Sequence, residues 1–243
     1  GGSRPRCRSY DPRNWGADAI YDIVDNKLVY RGTYKLPAPQ TEYENCVAHN
    51  GSIVPVPGRD IFVQAWYQGG LSVIDFTDST KPAEIAYFDR GPISDKAEVL
   101  GGYWSTYWYS GRIYGTEIAR GLDVLELSPS TNLTANEIAA ARLAKQGRTF
   151  NPQEQYPVSW PDAPVVARAY LDQLLRDGSV GKDDAASLAA ALDKAQVQLD
   201  AGKKDAGVAA ELRTQAGHLA GAKAGTRQVM LARVIDAIAA KLS

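Results

Sequence analysis

Gly69-Gly70-Leu71-Ser72-Val73-Ile74-Asp75-Phe76-Thr77-Asp78 decides how this chain is read, because its pattern occurs three times. An earlier copy is Gly16-Ala17-Asp18-Ala19-Ile20-Tyr21-Asp22-Ile23-Val24-Asp25, and a later one is Arg120-Gly121-Leu122-Asp123-Val124-Leu125-Glu126-Leu127. Asp22 and Asp25 fall on Asp75 and Asp78 at an offset of 53, and Gly70, Leu71 and Val73 fall on Gly121, Leu122 and Val124 at an offset of 51. A period of about 50 residues built from short strands predicts β-propeller blades.

Around the central copy the strand signals are local. Ile61-Phe62-Val63-Gln64-Ala65-Trp66 alternates as a strand, Gln68-Gly69-Gly70 turns, and residues 71–76 return. Together they form a hairpin signal. Gly111-Arg112-Ile113-Tyr114-Gly115-Thr116-Glu117 followed by residues 121–127 repeats it. Glu84-Ile85-Ala86-Tyr87-Phe88 reads as an outer strand, and Lys27-Leu28-Val29-Tyr30-Arg31-Gly32-Thr33-Tyr34 takes the same place one unit earlier.

Composition changes in the middle of the chain. Trp15, Trp66, Trp104 and Trp108 lie in residues 1–130, with Tyr103, Tyr107, Tyr109 and Tyr114. From Thr134 alanine dominates, and Pro152, Pro157, Pro161 and Pro164 disfavour regular structure. Beyond them the spacing becomes helical. Leu171, Leu174 and Leu175 mark one helix; Leu188, Leu192, Ala195 and Leu199 a second; Val208, Leu212, Ala216 and Leu219 a third; Leu231, Val234, Ile235, Ile238 and Leu242 a fourth. Gly178 and Gly202 stand where glycine stops helices, and Thr226 is placed to open the last. The reading is therefore multidomain β + α: blades over 1–130, a linker over 131–163 and a small helical bundle over 164–243.

The 243 residues carry a net charge of -1 with 23% charged residues, and the pI is about 6.2, which argues against a nucleic-acid partner. Arg4, Arg6, Arg8 and Arg13 form a local basic run, expected as an exposed terminus. No run reaches the ~18 apolar residues of a membrane span. No signal-peptide pattern stands at Gly1-Gly2-Ser3, and the expectation is that any targeting segment was removed or not included. The only two cysteines, Cys7 and Cys46, are read either as one disulfide or as buried thiols. A disulfide would contribute about 3–4 kcal/mol in the chain-entropy treatment.

The β half, over about residues 16–128, resembles the LVIVD-repeat family of bacterial β-propellers. Residues 70–78, Lys81-Pro82 and the upstream His49-Asn50-Gly51 carry the likeness, which is full for one blade over about 46–92. In the third copy Leu100 replaces the His and Glu126 the Asp, and the first copy lacks its two opening strands. The helical part, over about 165–243, resembles the FIMAH family of secreted bacterial modules through residues 174–180, residues 188–199 and Gly202 with Ala206. These resemblances imply an exported bacterial protein, extracellular or at the cell surface.

A propeller closes with about 4–8 blades of about four strands. The chain supplies about two and a half four-stranded antiparallel blades, a partial β-propeller with open edges and an exposed apolar face. The remaining blades are expected from another chain cut from the same precursor, from further copies in a homo-oligomer, or from a longer chain of which this is a C-terminal piece.

Several residues are candidates for chemistry. His49 is either a metal ligand near the propeller axis or a blade-opening residue bonded within the sheets. His218 reads as a surface residue. Asp22, Asp75 and Glu126 recur at one position and suit either Ca²⁺ ligation or N–H acceptance at strand ends. In Tyr103-Trp104-Ser105-Thr106-Tyr107-Trp108-Tyr109, alternation puts Tyr103, Ser105, Tyr107 and Tyr109 on one face and Trp104, Thr106 and Trp108 on the other. Trp104, Tyr107, Trp108 and Tyr109 are candidates for ligand or partner binding, with inter-blade core as the alternative for the two tryptophans. Asn50-Gly51-Ser52 and Asn132-Leu133-Thr134 match the glycosylation sequon, which the bacterial resemblance discounts. No nucleophile elbow, phosphate loop, dinucleotide fingerprint or HExxH is present.

The leading reading is an exported, non-catalytic binding or scaffold protein with a helical tail for attachment or assembly. One rival is a metal-dependent, oxidase-like enzyme whose divalent metal takes ligands from absent blades. Another is a structural cell-surface or filament protein.

Overall fold

The computed structural model describes residues 6–147, 151, 157–219 and 225–243; Arg4 lies outside them. The protein is mixed β and α. It divides into two compact units. One comprises Gly1–Pro55, Arg59–Ser128 and Gln146–Pro157, the other Val56–Gly58, Pro129–Lys145 and Val158–Ser243.

The first unit holds three antiparallel sheets in chain order. Strands β1 (Asp18–Val24) and β2 (Lys27–Tyr34) form the first; β3 (Gly51–Val54), β4 (Ile61–Ala65), β5 (Leu71–Asp75) and β6 (Ala83–Phe88) the second; β7 (Tyr103–Tyr109), β8 (Arg112–Glu117) and β9 (Gly121–Leu125) the third. The first is a single hairpin and the other two are meanders, as the hairpin signals predict. The β1–β2 connection is the pair Asp25-Asn26, both at positive φ (49° and 60°), the twist that a two-residue hairpin requires.

The sheets lie face to face. Tyr34 of β2 donates from its hydroxyl to Ser72 Oγ (3.2 Å) and Glu84 Oε2 (3.0 Å) of the second sheet, and its ring meets Trp66 edge-on. Cys7 and Cys46 are joined as a disulfide, with Cα atoms 5.6 Å apart, in a core with Tyr34, Leu36, Trp66 and Ile74. On the opposite side Trp108 N–H donates to Ser52 Oγ (2.7 Å), and Tyr67 and Tyr103 exchange two backbone hydrogen bonds (3.2 and 2.9 Å). Gly102 makes that exchange possible. At φ +86° it brings its backbone so close that a Cβ would stand 1.9 Å from Tyr67 C and 2.0 Å from Gln68 N.

In the second unit α2 (Pro164–Arg176), α3 (Lys182–Asp200), α4 (Ala206–Leu219) and α5 (Thr226–Leu242) are the four helices expected from spacing. Leu188, Leu192, Ala195, Leu212, Leu231, Ile235, Ile238 and Leu242 are buried in their common core. Gly202 closes α3 as a Schellman motif: Lys203 N–H donates to Gln198 O (2.9 Å) and Gly202 N–H to Leu199 O (3.0 Å). Gly178 (φ +77°) follows the end of α2. Thr226 is the first helical residue of α5, preceded by Gly225 as N-cap.

A fifth helix, α1 (Ala135–Arg142), stands within the segment expected to be linker, and Pro129–Lys145 belongs to the helical unit. A capping box starts it. Thr134 Oγ1 accepts from Glu137 N (3.2 Å) while Glu137 Oε2 accepts from Thr134 N (2.8 Å). Glu137 is fully buried and paired with Arg176 of α2 at 2.5 Å. No helix among the described residues is long and apolar enough to cross a membrane.

Candidate functional site

The repeat lets each sheet face be compared with its counterparts. Ser72, Ile74 and Phe76 turn toward the first sheet; Leu71, on the other face with Val73, lies toward Gly115 of the third. Leu71 and Val73 are 3% and 4% exposed, whereas their counterparts Leu122 and Val124 on the third sheet are 62% and 53% exposed. Ile74 is 3% exposed, whereas its counterpart Tyr21 on the first sheet is 49% exposed, with Ile23 beside it at 77%. Each end sheet therefore leaves open the face that the middle sheet covers. Tyr21 and Tyr30 stack edge-on (5.6 Å) across the open face of the first sheet, next to the Ile23–Leu28 pair.

The aromatic run of β7 belongs to this picture, with a correction. Strict alternation fails because Trp104 is the extra residue of a β-bulge: Tyr103 pairs with Glu117 and Ser105 with Thr116. Past the bulge the faces exchange. Tyr103, Thr106 and Trp108 are buried toward the second sheet, so Trp108, at 0% exposure, is core and presents no binding surface. Trp104 is half-exposed, and Tyr107 and Tyr109 are partly exposed. Register places Tyr107, Tyr114 and Val124 in one row across the open face.

His49 lies where the second and third sheets meet. Its ring packs on Tyr67 (4.8 Å) and Trp104 (4.7 Å), and its Nδ1 is 2.5 Å from Trp104 O. A carbonyl only accepts, so Nδ1 carries the proton and Nε2 alone remains to ligate. No three His, Cys, Asp or Glu side chains converge as a metal site among the described residues. The side chains there do not form a ligand set around His49.

The recurrent carboxylates are paired with arginines: Asp22 with Arg31 (2.6 Å), Asp75 with Arg59 (2.6 Å) and Glu126 with Arg112. Asp75 also accepts from Thr77 N (3.0 Å) and Oγ1 (2.6 Å). Burial alone would push its carboxyl up, but the Thr77 and Arg59 bonds hold it below the usual carboxylate range. In the basic run, Arg8 bonds Asp11 and Glu42, and Arg6 lies over Trp15 (5.3 Å from the ring centroid). His218 is exposed and borders a cleft of about 420 Å³ with Asp184, Gln215 and Gln228.

One polar group went unnoticed in the sequence. Asp18, the first residue of β1, borders a cleft of about 280 Å³ between the first two sheets, with Ile20, Tyr34, Phe62, Ile74 and Phe76. Burial raises its carboxyl to about 6 from 3.8. Tyr34 is the other titratable side chain packed at the cleft, with Glu84 behind it; Tyr21 borders the cleft from β1, half-exposed and with its ring against Tyr30. Burial, the Glu84 carboxylate and Asp18 hold the Tyr34 phenol well above its ordinary value.

The folded carboxyl binds its proton more tightly than the unfolded one, so Asp18's contribution is full below pH 3.8 and is lost as pH rises through about 6. At pH 7.5 Asp18→Asn is expected to raise the unfolding free energy by about 2 kcal/mol. It should also flatten the stability profile across that window, as urea titrations at several pH values will show.

No family model, curated protein or solved structure matches the chain.

Proposed function

We propose that this is an exported, non-catalytic scaffold and binding protein whose sheets are a segment of a propeller. Its two open faces receive further sheets of the same kind, and its helical unit serves attachment or assembly. The observation that carries the reading is the exposure of Leu122, Val124 and Tyr21, where counterparts in the middle sheet are buried. Exposed apolar faces on repeat units are covered by neighbouring repeats. Trp104, Tyr107 and Tyr109 then contribute to the partner surface. The likeness to LVIVD-repeat and FIMAH sequences supports export, and the Cys7–Cys46 disulfide is compatible with an oxidising compartment.

Sedimentation of the chain with and without Leu122→Lys and Val124→Lys tests this. The native chain should associate with increasing concentration. The double variant should remain monomeric, with stability within about 0.5 kcal/mol because both side chains are exposed. Identical masses for the two proteins at all concentrations would refute the reading.

A further inference from the structure

Five buried side-chain atoms lack a hydrogen-bond partner among the described residues: Asp18 Oδ2, Trp66 Nε1, Thr106 Oγ1, Trp108 Nε1 and Gln173 Oε1. Asp18 is part-buried, and its enclosed Oδ2 is the one carboxylate oxygen among them; a carboxylate oxygen out of water and without a donor is a less favourable orphan than a neutral one. Of the five, Asp18 alone borders the cleft between the first two sheets. The rest of that lining is Ala19, Ile20, Tyr21, Tyr34, Phe62, Ile74 and Phe76, with no lysine, arginine or histidine. The Tyr34 hydroxyl is already bonded to Ser72 and Glu84. Among the described residues the cleft thus presents one carboxylate, its enclosed Oδ2 without a donor, against apolar and aromatic walls.

That chemistry selects its occupant. An anion is repelled by Asp18. A hard divalent cation needs about six oxygen ligands, and one carboxylate does not supply them. A wholly apolar molecule leaves the carboxylate unpartnered. An ammonium carried on an apolar body satisfies both the carboxylate and the walls, and aromatic faces favour it further. The volume, about 280 Å³, is near the lower end of the ~300–1,000 Å³ typical of small-molecule sites.

We propose that the Asp18 cleft binds a small organic ammonium ion, whose charged nitrogen donates to the Asp18 carboxylate while its apolar body lies between Tyr34, Phe62 and Phe76. The assignment does not depend on the open sheet faces.

Titration of the intact chain at pH 7.5 with phenethylammonium chloride, and separately with 2-phenylethanol, tests it by amide and ring NMR. The amine should give saturable shifts at Asp18, Ile20 and Tyr34 and bind at least ten times more tightly than the alcohol. Asp18→Asn should remove that difference. Equal binding of the two probes, absence of saturable shifts from the amine, or amine binding unchanged by Asp18→Asn would each overturn the proposal. Should the variant not fold, the comparison of charged and neutral probes on the native chain still decides.

Discussion

Replacing Cys7 and Cys46 together by alanine is expected to lower the unfolding free energy by about 4 kcal/mol, the largest single loss foreseen in the sheet unit. The bridge spans a separation of 39 residues and closes a loop holding all of β1 and β2. The first sheet has only two strands, and an isolated hairpin is marginal in water. Its hold on the second sheet runs through Tyr34 and the core around the two sulfurs, where Cys46 is 1% exposed. Urea unfolding should show the loss, and hydrogen exchange should show β1 and β2 unprotected before β4 and β5. A change below about 1 kcal/mol would mean that the first sheet is held without the bridge.

Gly102→Ala is expected to cost about 3 kcal/mol or more, through two mechanisms at one position. The residue sits at φ +86°, which alanine resists, and its new Cβ would collide with Tyr67 and Gln68 backbone atoms that cannot rotate away as a side chain does. Relief requires separating the paired Tyr67 and Tyr103 backbones, and with them the third sheet from the second. Gly121→Ala is the control. Its φ is +94°, but nothing lies within 4 Å of the added carbon, so the expected cost is backbone strain alone, about 1 kcal/mol. Thermal unfolding of the two variants should therefore separate clearly. Equal shifts would show that the close approach at Gly102 is relieved elsewhere.

The strands around Leu71 and Gly121 were legible because alternation and turn glycines are local signals, and the repeat put the same signals in register three times. The four long helices were legible because Leu188, Leu192 and Ala195, or Leu231, Ile235 and Ile238, repeat at helical spacing over two turns or more. Helix α1 escaped because eight residues are too few to show a stripe; Thr134 and Glu137, a threonine followed three residues later by a glutamate, were the available signal. The faces of β7 could not be assigned from sequence, since one bulge at Trp104 reverses the parity of every residue after it. Asp18 was hidden for another reason. An acidic residue at a strand start suggests a turn acceptor, and only the packing of Tyr34, Phe62 and Ile74 at the cleft shows that Oδ2 meets no donor among the described residues.

The two open faces differ: Tyr21, Ile23, Leu28 and Tyr30 are exposed on the first sheet, Leu122 and Val124 on the third. The first sheet presents the kind of face that the middle sheet turns toward its predecessor, and the third presents the kind that the middle sheet turns toward its successor. The proposed association through them would be head-to-tail, which closes a ring or extends a chain according to the rotation per step. Disulfide cross-linking reads this directly. One protein carries Tyr21→Cys, another carries Val124→Cys, both retain the Cys7–Cys46 bridge, and they are mixed and oxidised under native conditions. The mixed 21–124 product should dominate over the 21–21 and 124–124 products. A statistical mixture of the three, or no cross-linked product at all, would contradict the claim that these faces are built to receive sheets of the same kind.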